Sequence, residues 1–137
     1  MKQIFLDTNI LVDFAIGREH GDDAEQLLQH GRNGNVKLSA SYLTFANMAY
    51  ILRGKTDMYG LFHDLLRFIT ALPNDEMQLS SALSLQVRDF EDMLQYQCAK
   101  AAGCEVIVTN NKKDFIDFCS IPLMTAEELL TQISKVN

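Results

Sequence analysis

Three aspartates, Asp7, Asp92 and Asp114, stand at positions from which carboxylates can act together. Asp7 ends the short apolar run Ile4-Phe5-Leu6 and is followed by Thr8 and Asn9. In an open parallel sheet, ligands bind beyond the carboxyl ends of the strands, so an acid closing a first strand points into the active-site crevice. Asp114 follows the run Val106-Ile107-Val108-Thr109 by way of Asn110-Asn111-Lys112-Lys113. Asp92 falls in the first turn of the helix before that run, and Asp89, three residues earlier, shares its face. Convergent carboxylates repel by roughly 4 kcal/mol per pair at about 4 Å and an effective dielectric of 20, so they must take up protons or bind a cation. A hard divalent ion suits them, since Mg²⁺ takes oxygen ligands and is held by one or two carboxylates plus substrate phosphate. Each acid also has a structural use. Asp7 can cap a helix, Asp92 can complement a helix dipole and Asp114 can cap a turn, each contributing on the order of 1 kcal/mol. Their combination is what points to a site.

The surrounding elements have to bring these acids together. Gln3 to Leu6 reads as a buried strand, and Asn9 to Ile16 as a helix entered through Asp7-Thr8 and broken at Gly17. Asp22 to His30 is a polar helix with Ala24, Leu27 and Leu28 on one face, ended by the turn from Gly31 to Asn35. Val36 to Ser39 is a second strand. Ser41 caps a helix from Tyr42 to Arg53 that is apolar nearly all round, which predicts burial or an interface. After the break Gly54-Lys55-Thr56-Asp57, the helix from Met58 to Phe68 carries so many apolar residues that it is either wholly buried or a homodimer face. Ile69 to Leu72 is a third strand, Asp75 opens a helix to Val87, and Asp89 caps another from Phe90 to Ala102, closed by Gly103. Glu105 to Thr109 is the clearest strand, Ile121 to Met124 a last one, and Thr125 with Glu128 forms a capping box for the final helix. This alternation predicts an α/β fold, a three-layer α/β/α sandwich around a central parallel sheet of four or five strands. If the strands ending at Asp7 and at Thr109-Asn110-Asn111 are neighbours, their ends form one polar pocket.

Composition narrows the classes. A chain of 137 residues, 47% hydrophobic and 22% charged, reads as one globular domain over residues 1–137. No apolar run approaches a membrane span or a signal peptide, which predicts a cytoplasmic protein with no membrane association. Cys98, Cys104 and Cys119 have neither disulfide nor zinc spacing and are expected to be reduced, buried and inert. A net charge of -6 argues against a broad basic surface for nucleic acid, yet clustered metal-site acids inflate that count and a bound cation reverses their local sign. His20, His30 and His63 have no triad or metal spacing, and Gly31-Arg32-Asn33-Gly34 follows a helix rather than a strand, so no phosphate loop is present.

The order and spacing of Phe5-Leu6-Asp7-Thr8-Asn9-Ile10-Leu11, Ser41-Tyr42-Leu43-Thr44-Phe45-Ala46-Asn47-Met48, Asp89-Phe90-Glu91-Asp92-Met93 and Ile107-Val108-Thr109-Asn110-Asn111-Lys112-Lys113-Asp114-Phe115 resemble the PIN domain family across nearly the whole chain. The resemblance implies a small Mg²⁺- or Mn²⁺-dependent ribonuclease, often the toxin half of a toxin–antitoxin pair and often a homodimer. It makes Asp7, Asp92 and Asp114 the metal and catalytic acids, with Asn9 and Thr109 supporting them by hydrogen bonds. Asn110, Asn111 and Asp89 lie beside them, and Lys112 and Lys113 are placed to bind RNA phosphates, with Arg53 or Arg88 further out. The family's second acid, a glutamate, is replaced at the matching position by Asn47, whose amide offers an oxygen but neither charge nor a base. Asn47→Glu is therefore predicted to strengthen cleavage. A PIN-like module that binds RNA or a protein without efficient hydrolysis is the alternative. A dehalogenase-type phosphatase is disfavoured because it needs a second acid where Asn9 stands.

Overall fold

The structure is a computed structural model that describes residues 2–136. Its elements run β1 (Gln3–Leu6), α1 (Thr8–Ile16), α2 (Gly21–Arg32), β2 (Lys37–Ser41), α3 (Tyr42–Ile51), α4 (Met58–Leu65) and β3 (Ile69–Leu72). There follow α5 (Glu76–Leu85), α6 (Phe90–Ala101), β4 (Val106–Val108), a 3-10 turn (Lys112–Asp114), β5 (Leu123–Met124) and α7 (Ala126–Val136). Five parallel strands form one sheet in the order β3-β2-β1-β4-β5, so β1 is central. The chain builds β2 and β3 on one side of β1 and then crosses to place β4 and β5 on the other. The β1–β4 boundary is thus a topological switch point, where the ends of two neighbouring strands splay connections to opposite sides and leave a crevice.

Strand alternation distributes the core over both faces of the sheet. Ile4 and Leu6 of β1, with Val106 and Val108 of β4, pack in the layer that also holds Ile10, Leu27, Leu28, Met48, Leu65 and Leu129. Phe5 and Ile107 turn the other way, onto Ala82 of α5 and Met93, Tyr96 and Ala99 of α6. Helices therefore cover both faces, and the expected three-layer α/β/α sandwich is the observed one.

Several boundaries differ from expectation for identifiable reasons. The second strand is Lys37–Ser41 rather than Val36–Ser39, because its serines find partners inside the protein. Ser39 Oγ donates to the Ile4 carbonyl at 2.9 Å, and Ser41 Oγ to Gln95 Oε1 at 2.7 Å. The helix opened by Asp75 stops at Leu85 instead of reaching Val87, since Gln86 takes a left-handed backbone at φ 48°. Gly103, at φ 71°, closes α6 as expected. Neither α3 nor α4 is wholly buried. α3 buries Thr44 and Met48 while leaving Tyr42 and Tyr50 in solvent, and α4 buries Leu65 while Tyr59 is exposed. Cys98 and Cys104 are buried and Cys119 half-buried, and none of the three is in a disulfide. Among the described residues, no helix is long and apolar enough to cross a membrane.

Candidate metal centre

The pairing of β1 with β4 sets Leu6 against Val108, so the next residues, Asp7 and Thr109, emerge side by side at the switch point. The Asp7 N–H donates to the Val108 carbonyl at 3.0 Å, which carries the ladder one step past the strand. Asp7 occupies the N-cap position of α1, yet its side chain makes no capping hydrogen bond. It accepts instead from Thr109 Oγ1 at 2.9 Å, and Thr109 Oγ1 in turn accepts the Asn111 N–H at 3.0 Å. The capping explanation of Asp7 therefore gives way to a carboxylate aimed across the crevice.

Asp92 reaches the same place from α6. Asp89 is the helix cap, its Oδ1 accepting the Asp92 N–H at 3.1 Å, and this fixes the first turn so that Asp92 lies buried against the sheet end. The turn at Lys112–Asp114 brings Asp114 to the other rim. Carboxylate oxygens of Asp89, Asp92 and Asp114 come within 4.8 Å of one another. A cavity of about 340 Å³ is lined by Asp7, Thr8, Asn9, Asn47, Tyr50, Ile51, Asp89, Glu91, Asp92 and Asp114. The tightest trio thus includes Asp89, which the sequence suggests only as a support, whereas Asp7 borders the cavity beside it.

The electrostatics follow from this crowding. Burial raises the Asp7 carboxyl to about 6 against the lowering hydrogen bond from Thr109, with the charges of Glu91 and Asp114 adding to the rise. Burial also raises Asp92, to about 8, helped by its hydrogen bond with Asp89 and by the charge of Asp7. Partial desolvation and the charge of Asp89 raise Glu91, and a hydrogen bond from Asn47 opposes them. Near neutral pH these groups hold protons unless a cation replaces them. The donor set is all oxygen and mostly anionic, which fits a hard divalent ion and not a thiolate- or imidazole-seeking one.

The remaining candidate residues divide. Asn9 lines the cavity, but no hydrogen bond among the described residues joins it to an acid. Asn110 and Asn111 lie on the far side of the strand end, with Lys112 and Thr125. Lys112 is drawn to Glu128 of α7 in an ion pair, which turns its ammonium from the acids. Lys113 and Arg88 line a second cavity of about 750 Å³ that shares Asp89 and Asp114 with the first. Arg53 lies over the ring of the exposed Tyr50 at 5.2 Å, at the opposite rim.

Sequence reasoning passed over Gln95 and Glu91. Gln95 is fully buried beneath the cavity, where its Nε2 donates to Thr8 Oγ1 and Thr44 Oγ1, each at 3.0 Å, while its Oε1 accepts from Ser41. Thr8 and Thr44 are themselves 2.9 Å apart. This polar knot ties α1, α3 and α6 together below the acids. Gln95→Ala should cost about 2–3 kcal/mol, from stranded hydroxyls and a new void. Urea denaturation measures it, and a loss under about 0.5 kcal/mol would mean the knot is energetically idle. A glutamine three residues after Asp92 on a helix expected to be half-exposed carried no signal beyond its spacing.

Comparison with known proteins gives a consistent grouping. A family model described as PIN domain matches residues 3–113. Ribonuclease VapC1 of Aquifex aeolicus (strain VF5) is 26% identical over 136 residues, spanning 93% of this chain and 92% of the relative. The fold is similar to one chain of a structure of VapBC2 from Rickettsia felis bound to a DNA fragment from their promoter, with TM-score 0.69 and 19% identity over 90% of this chain and 98% of that one. A chain of a toxin–antitoxin complex from Klebsiella pneumoniae gives TM-score 0.66 and 20% identity, over 90% and 97% respectively.

Proposed function

The chain belongs to the PIN domain family, and from that membership we propose that it is a divalent-metal-dependent endoribonuclease, the toxin of a toxin–antitoxin pair. The observation that carries this reading is the gathering of acids from β1, α6 and the 3-10 turn around one cavity at the switch point. Asp7, Asp92 and Asp114, with Asp89 beside them, would hold Mg²⁺ or Mn²⁺. When bound, the cation supplies Lewis-acid activation of water and neutralises charge at the scissile phosphate. Thr109 fixes the Asp7 carboxylate, and the buried Gln95 knot fixes α6 relative to α1 and α3, so the acid oxygens are positioned before substrate arrives.

Lys113 and Arg88, in the adjoining cavity, are placed to bind the phosphates of an RNA strand passing the acids. Tyr50, with Arg53 over its ring, offers a stacking surface for a base on the other side. Lys112 is omitted from this role because Glu128 holds it. The relative's name and the neighbours' titles support a protein antitoxin as partner, and we extend the reading to a cytoplasmic homodimer. Incubation of nuclease-free protein with RNA should give cleavage in Mg²⁺ or Mn²⁺, none in excess EDTA, and recovery on adding metal back. Binding of RNA that ignores EDTA, with no cleavage in any metal, would replace the enzyme by a binding module.

A further inference from the structure

We infer that Glu91 supplies the carboxylate that α3 lacks, and that Asn47 holds it in place. The inference rests on the ribonuclease reading above. Asn47 Nδ2 donates to Glu91 Oε1 at 2.8 Å, and both side chains line the cavity with Asp7, Asp92 and Asp114. The acid missing from position 47 is thus delivered from the facing helix, displaced by one hydrogen bond.

Helix geometry makes this placement specific. Successive residues on an α-helix point about 100° apart, so Asp92 faces the sheet end while its neighbour Glu91 swings toward α3. Glu91 and Gln95 are one turn apart on one face of α6, as Thr44 and Asn47 are on α3. The two faces meet in two layers. Below, Gln95 is locked to Thr44 in the buried knot, and above, Glu91 meets Asn47 at the cavity rim. An ionised carboxylate requires an N–H from the Asn47 amide, which turns its carbonyl oxygen the other way. Asn47 is then a positioning residue, and Glu91 is the group that faces the cation or its water shell.

This geometry overturns the expectation that Asn47→Glu strengthens the site. A second carboxylate at position 47 would lie within hydrogen-bond distance of Glu91 and repel it. Exchanging the two residues should instead move the acid back to α3 without changing the charge.

The test is Mn²⁺ titration calorimetry on the full chain, with the metal-free Tm and RNA cleavage recorded in parallel. Glu91→Gln keeps an oxygen to accept from Asn47, so a strut role predicts no change. We expect Mn²⁺ affinity to fall about 10- to 100-fold with the metal-free Tm unmoved. Asn47→Glu alone should also weaken binding, and Asn47→Glu combined with Glu91→Gln should restore it. Parent-like Mn²⁺ affinity in Glu91→Gln, alongside lost affinity in Asp7→Asn, would overturn the inference and leave the metal centre standing. Parent-like affinity in Asp7→Asn as well would remove the centre, and the inference with it. A double variant as weak as Glu91→Gln alone would show that α3 cannot carry the acid, and would overturn the exchange.

Discussion

Asp7→Asn is expected to lower RNA cleavage by about 10² to 10³, the equivalent of roughly 3–4 kcal/mol of transition-state stabilisation, and to raise the stability of the metal-free protein. The two effects have opposite signs for one reason. Asp7 is buried at the end of the central strand, where its charge is desolvated and faces Glu91 and Asp114. Without a cation that charge opposes folding, and with a cation it anchors the site. Asparagine has the same shape, and its oxygen can accept the Thr109 hydroxyl as the carboxylate does at 2.9 Å. The substitution therefore removes charge and little else. Cleavage assays in Mn²⁺ with thermal denaturation in EDTA measure both effects. A variant that loses activity by unfolding, or one that cleaves RNA at the parent rate, would refute the role given to Asp7.

Asp7, Asp92 and Asp114 were legible in the sequence because each follows a local rule: an acid closing an apolar strand, an acid in a capped first turn, an acid in the turn after the clearest strand. The parallel sheet was legible for the same reason, since β-α alternation is local. The partnership of β1 with β4, which makes one pocket out of two strand ends, depends on the crossover after β3 and appeared only as a condition. Glu91 and Gln95 were not legible as site residues. Their meaning lies in which helix faces α6 across the crevice, and nothing within α6 states that Asn47 and Thr44 are opposite. Asn47 read as a loss while its partner was unknown. The surface charges misled in a related way, since Lys112 sits in the motif yet the nearer anion is Glu128, three residues beyond Thr125 on the last helix. The apolar surplus on α3 and α4 pointed to burial, whereas their tyrosines stand in solvent beside the crevice.

The metal-free protein should lose stability as pH rises from about 4 to about 8, opposite to the usual behaviour of paired carboxylates. Asp7 and Asp92 ionise near 3.8 when unfolded and near 6 and 8 when folded. Between those values the unfolded chain has released protons that the folded protein still holds. The unfolded state therefore binds fewer protons, and stability falls with increasing pH. Asp7 alone accounts for on the order of 3 kcal/mol, lost by about pH 7, or roughly 10 °C in Tm for a chain of this size. Asp92 extends the decline toward pH 8. A divalent cation removes the conflict by binding the ionised forms, so saturating Mn²⁺ should raise Tm more at pH 8 than at pH 5, where protons compete for the same oxygens. Denaturation scans at several pH values, with EDTA and with Mn²⁺, separate the cases. A metal-free Tm that stays level or climbs between pH 5 and 8 would mean the acids do not crowd one another, and an Mn²⁺ effect independent of pH would place the ion elsewhere. Asp7→Asn should flatten the lower half of this window and leave the upper half, where Asp92 titrates, in place.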